Sequence, residues 1–175
     1  MIRFLLVAWV LLAAVGCTNQ PKDQGVNAIN PNNTPSLDLP DSTCTPTDQD
    51  QYVWRPARLQ FLQSCVRVTG TVMELSDAEA DGDIHINIRL DAPYQALLTD
   101  GNQHADGDLI VEAICQYVPP LIEALRLCAS DPNPYPGPFP HVGDHIWVEG
   151  RYVLDLSHHS WAELHPLYRW ELINP

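Results

Sequence analysis

Residues 83–90 read DIHINIRL. Ile84, Ile86, Ile88 and Leu90 alternate without a break with His85, Asn87 and Arg89, the period-two pattern of a strand with one apolar face and one polar face. A helix would need its apolar residues three and four apart, so this stretch fixes the fold class as β. Working outward, CVRVTGTVMEL (65–75) alternates in the same way, with Val66, Val68 and Val72 on one side. Gly70 falls in its middle, where a bulge or sharp coil is expected. DLIVEAICQ (108–116) is a third strand, DHIWVEGRYVLDL (144–156) a fourth and LYRWELI (167–173) a fifth.

Between the third and fourth strands, PPLIEALRLC (119–128) has proline at its start and Leu121, Ile122, Leu125 and Cys128 on one face, a short helix. The proline-rich loop 131–144 that follows it has no regular structure. Upstream, QYVWRPARLQFLQ (51–63) reads as a short helix or an extended arm, because Pro56 forbids a long helix. Three strands, one short helix and two strands give a mainly β domain, residues 51–175, with the element order of a five-stranded OB-fold-like barrel. A β-sandwich is the other architecture, but five strands are few for one.

The chain has 175 residues, 45% of them hydrophobic, enough for one packed domain with accessory segments. Its formal net charge of −13 repels phosphate backbones and anionic head groups, so nucleic-acid binding is disfavoured. The sixteen prolines and nine glycines gather outside the strands, as loops and a tether. Residues 18–50 are rich in Asn, Pro, Asp, Thr and Ser and lack apolar periodicity; a flexible segment of that length holds a domain about 30 Å from its anchor.

Arg3 and the apolar run FLLVAWVLLAAVG form a signal-peptide core, shorter than the ~20 residues of a spanning helix. The run ends in LAAVGC (12–17), which resembles the lipobox of bacterial lipoproteins. That resemblance implies removal of a signal peptide, 1–16, and lipidation of Cys17, with 17–50 as lipidated tether and the domain held at a cell membrane or outer membrane, facing periplasm or exterior. The alternative is an ordinary secretory signal. With Cys17 lipidated, four cysteines remain, an even number suited to an oxidising compartment. Cys115 and Cys128, close in sequence, are expected to pair, leaving Cys44 for Cys65. A zinc site built from the four cysteines lacks the CxxC spacing it needs.

The candidate site joins two distant segments. In an OB topology the strand 2–3 face and the loops joining strands 1–2 and 4–5 form the usual binding surface. SDAEADGDIH (76–85) is the first of those loops and SHHSWAELHP (157–166) the second. DGDIH with ELHP resembles a group of secreted bacterial proteins of uncharacterised function, over Cys65 to Ile173; the resemblance implies a shared fold and local arrangement, and no activity. Three readings of His85, Glu163 and His165, with Trp161, stand open. One is a clasp in which His85 and Glu163 satisfy each other across two loops. Another is a zinc site of His85, Glu163 and His165, with His158 or His159 nearby, and the third is acid–base catalysis. The acidic turn from Asp77 mimics a calcium loop, but Ile88 stands where the twelfth-position ligand belongs. No GxSxG, P-loop or HExxH occurs. Trp147, Trp161 and Trp170 are read as packing before they are read as an aromatic binding surface. The expectation is an envelope lipoprotein that binds an unidentified small ligand or envelope protein, without a cofactor. A metal-dependent envelope enzyme, hydrolase-like and using His85, Glu163 and His165, is the alternative.

Overall fold

The computed structural model describes residues 44–76, 79–131 and 138–173. The signal peptide, Cys17, Asp77 and most of the tether lie outside these residues. The chain is mainly β. It has β1 (Leu59–Leu75), β2 (Ile84–Leu90), β3 (Leu109–Ala113), β4 (His145–Asp155) and β5 (Trp161–Leu172), with a short helix α1 (Ile122–Cys128) between β3 and β4. No helix among the described residues is long and apolar enough to cross a membrane.

The five strands form one mixed sheet whose pairing runs β1-β2-β3-β5-β4 and returns from β4 to β1. All neighbours are antiparallel except β3 and β5, which are parallel. The ring closes because β1 is 17 residues long and serves two partners, Gly70 lying opposite both Leu90 of β2 and Ile146 of β4. One face of each strand is apolar, and these faces meet. Val66, Val68 and Val72 pack with Ile84, Ile86, Ile88, Leu109, Val111, Ile146, Val148 and Leu164, all buried.

Gly70 serves a different purpose from the expected bulge. A Cβ there would lie 2.5 Å from the Arg89 carbonyl oxygen and 2.6 Å from an Ile88 methyl, so the glycine lets β2 pass close over β1. The β1–β2 register slips later, between Val72 and Glu74.

Two strands are longer than their sequence pattern. β1 starts at Leu59, preceded by short 3-10 turns at Asp48–Tyr52 and Pro56–Arg58. Gln60 and Gln63 blur its alternation, but the end of β4 supplies ladder partners, Leu59 facing Asp155 and Gln60 facing Leu154. β5 starts at Trp161, which puts ELHP inside a strand and not in the loop expected for it. Pro166 falls where the β4–β5 register slips between Gly150 and Tyr152, a position at which no ladder N–H is required.

Cys44 bonds to Cys65, and Cys115 to Cys128, with Cα separations of 5.8 and 5.2 Å. The first bond fastens the segment before the domain to β1, and Asp50 is held as well, accepting from the Tyr168 hydroxyl at 2.7 Å. Residues 44–50, grouped with the tether by composition, are thus joined to the sheet. The second bond ties the residues after β3 to α1 over a sequence separation of 13. Losing a loop closure of this size costs about 3 kcal/mol in the chain-entropy view. Cys115→Ser/Cys128→Ser is therefore expected to lower unfolding free energy by roughly that amount in urea titration. A loss below ~0.5 kcal/mol would mean that the bond adds nothing to the sheet's hold on α1.

Candidate functional site

Register brings the site together. His85 on β2 lies directly opposite Glu112 on β3, and Glu163 on β5 pairs with Ile110, two residues before Glu112 on the same face of β3. His165 follows Glu163 by two. The polar members of three strands thereby share one face, opposite the apolar core.

Glu112 lies at the centre. Its carboxylate is 2.7 Å from His165 Nδ1, 3.1 Å from His85 Nε2 and 3.6 Å from an Arg58 guanidinium nitrogen. His165 Nδ1 is also 3.1 Å from Glu163 Oε1, while Glu163 Oε2 accepts the Trp161 indole N–H at 2.7 Å. Arg58 Nε donates to Asp155 at 2.9 Å, and the same Asp155 oxygen is 2.9 Å from His158 Nδ1. On the far side of the His165 ring, Nε2 is 3.9 Å from Asp83 Oδ2, and Asp83 Oδ1 accepts the Cys115 backbone N–H at 2.8 Å. Glu112, Glu163, His165 and Asp155 have no exposed surface, and Asp83 has 3%.

Neighbouring loops hold this arrangement. Asn102 donates to the Ala162 and Asp108 carbonyls and accepts the Ala162 N–H at 2.9 Å, which fixes the start of β5 between Trp161 and Glu163. Gly82 takes φ +91°, and a Cβ there would sit 2.6 Å from the Tyr117 carbonyl oxygen, so glycine is required where the chain turns into Asp83.

Burial and charge oppose each other throughout the cluster. Burial disfavours a charged His165, yet the Glu112 and Glu163 carboxylates outweigh it and hold the imidazole well above its usual pKa. Burial likewise works against an ionised Glu112, but His165 and then His85 pull it well below the carboxylate range. His85, partly desolvated but paired with Glu112, rises to about 9. Glu163 is raised, by burial first and by the Glu112 charge second. Burial and the neighbouring Asp81 push Asp83 up to about 8.

Beside the cluster opens a pocket of about 310 Å3, lined in part by Trp54, Arg55, Arg58, Asp81, His85 and His158. Arg55 stacks on Trp54 with its guanidinium carbon 4.2 Å from the ring centroid. Arg58 and His85 belong to both pocket and cluster.

His85, Glu163, His165 and Trp161 thus share one region, but His85 reaches the ELHP segment through Glu112 and not through Glu163. Nor do His85, Glu163 and His165 converge as a ligand set, since both Glu163 oxygens are taken by His165 and Trp161. Among the described residues, the group whose ligand atoms do converge is Asp83, Glu112 and His165. Sequence reasoning missed Glu112 and Asp83 as participants. A signal for Glu112 existed, because a lone acid inside the apolar strand LIVEA must be buried and therefore partnered. Trp147 and Trp161 have separate tasks, Trp147 lying under the Arg67 guanidinium at 4.3 Å.

Two outcomes follow from this charge pattern. Glu112→Ala removes the charge that holds His165 and His85 protonated and leaves both imidazoles and Arg58 without their shared buried partner, and urea titration is expected to show a loss of about 3–5 kcal/mol. The pH dependence has a defined sign. His85 binds its proton more tightly folded than unfolded, so its contribution is full below about 6.5 and is lost as pH rises through about 9. Asp83 is protonated in the folded chain up to about 8 against 3.8 for the free group, so it too lowers stability as pH climbs across that interval. Thermal melts should therefore fall between pH 6.5 and 9, less steeply in His85→Gln. An unchanged slope in that variant would remove His85 from the account.

No family model, no curated protein and no solved structure matches this chain, so its functional reading rests on the geometry of the site.

Proposed function

We propose that the chain is a lipid-anchored cell-envelope protein whose domain is an OB-like barrel that binds a small polar ligand in the pocket beside Glu112. The observation that carries this reading is the pocket's position. Its walls come from the β1–β2 connection through Asp81, from the β4–β5 connection through Ser157 and His158, and from β2 through His85. These are the connections and the strand at which an OB fold binds its ligands. The closed pairing β1-β2-β3-β5-β4 and a helix between β3 and β4 support the same architecture. Anchoring rests on LAAVGC after an apolar core.

Pocket chemistry narrows the ligand. Arg58 and His85 have their charges answered by Asp155 and Glu112, so they form a rigid floor rather than free cations. Arg55, exposed and stacked on Trp54, is the lining cation left free for a solute, and Glu79 and Asp81 line the same pocket. A small molecule with an anionic group for Arg55 and a donor for the acids fits best; a free amino acid is the simplest of that class. The metal-dependent hydrolase on His85, Glu163 and His165 fares worse, because Glu163 and His165 have no surface that a substrate in the pocket can touch.

Cys17→Ser is expected to move the protein from the membrane to the soluble fraction; retention on membranes after that change would sink the anchoring. For the pocket, thermal-shift measurements across free amino acids and small dicarboxylates should find at least one that raises the melting temperature. The shift should vanish in Arg55→Ala. No shift across the panel, or one that survives Arg55→Ala, would remove this pocket as the binding site.

A further inference from the structure

We infer that Asp83, Glu112 and His165 form a structural site for one divalent transition-metal ion of the zinc class. Each residue offers a ligand atom, and the three atoms lie within 4.8 Å of one another. All three residues are buried. A cluster of this kind is ordinarily no more than a hydrogen-bonded network, and a second observation separates it from one. His165 Nε2 has no hydrogen-bond partner, although the residue is fully buried and this nitrogen is out of reach of solvent. Buried polar atoms are nearly always hydrogen-bonded, and an orphaned imidazole nitrogen turned toward a buried carboxyl group calls for a bound group.

The surroundings of His165 are arranged as around a metal ligand. Its Nδ1 faces Glu163 Oε1 at 3.1 Å, and Glu163 is itself held by the Trp161 indole. A carboxylate on one ring nitrogen is the usual device for orienting the other toward a metal. That other nitrogen, Nε2, faces Asp83 Oδ2 at 3.9 Å, too long for a hydrogen bond and within the span of two atoms ligating one ion. The second Asp83 oxygen is fixed by the Cys115 N–H, which leaves Oδ2 for the ion. Formal charge agrees. Asp83, Glu112, Glu163 and Asp155 bring four carboxyl groups to the cluster, and a divalent ion binding there would take the place of the protons on Asp83 and His165.

One imidazole with carboxylate oxygens suits zinc or manganese better than magnesium, which keeps its waters, or a thiolate-seeking ion. Because these ligands are closed off from the pocket, the ion is structural: it joins β2, β3 and β5 at the point where their polar residues meet.

The test uses the full chain, purified without a histidine tag and treated with EDTA, then titrated with zinc chloride. Elemental analysis after dialysis is expected to find about one zinc per chain, with a raised melting temperature that magnesium does not reproduce. Asp83→Asn should weaken zinc binding by about 10-fold or more. The exposed stacked pair His104 and His159, with ring centroids 3.7 Å apart, is the competing site, so His104→Gln/His159→Gln is the control and should bind zinc as the wild type does. Should Asp83→Asn not fold, zinc X-ray absorption on the wild type decides, since this site gives a single-imidazole, oxygen-rich shell. No retained zinc, loss of binding in the surface variant, full binding in Asp83→Asn, or a shell of two imidazoles would each overturn the inference.

Discussion

Glu112 has no contact with water, and a carboxylate in that position must be ionised against nearby cations or forced neutral. Here it meets His165, His85 and Arg58, one from each of three separate parts of the chain. The constraint is mutual. Without an ion bound between them, the Glu112 and Glu163 carboxylates favour a protonated His165, and His165 in turn favours an ionised Glu112. Strand registers, the entry of β5 and the short turn at Pro56–Arg58 all have to hold these groups within a few ångströms of one another.

The same pairing recurs around the sheet. The protein has 22 acidic residues and nine lysines and arginines, and several of the latter face acids that lie inside. Arg58 answers Asp155, Arg67 answers Glu149, and Arg89 answers Asp108, all three acids being buried. The remaining acids leave the chain its formal net charge of −13. Arg55, standing on Trp54, has no carboxylate partner among the ion pairs of the described residues, and it lines the pocket.

Buried ion pairs seldom add stability over an apolar core of the same volume, since desolvation offsets most of the Coulomb attraction. A domain of this size that carries such a cluster needs other sources of cohesion. The apolar face of the closed ring provides one, and the two cysteine pairs provide another by limiting the unfolded chain at β1 and at α1. What the cluster contributes is a fixed polar floor, with His85 and Arg58 presented to the pocket in one orientation.

The strands with an uninterrupted apolar alternation were legible in sequence: Ile84, Ile86 and Ile88 need no context to declare a face. So were the helix after the third strand, although it opens at Ile122 behind the Leu121 cap and both prolines precede it, and the closeness of Cys115 to Cys128. Tertiary structure alone decided the polar half. ELHP reads as a loop because glutamate, histidine and proline break an apolar pattern, yet β3 offers a parallel partner and the segment becomes a buried strand. His85 was expected across from Glu163, but β3 lies between their strands and Glu112 takes the place of contact. Alternation within a strand is a local property, fixed by the chain's own period. Which polar residue meets which across a sheet depends on register and strand order, and those are set only when the whole apolar face has closed on itself.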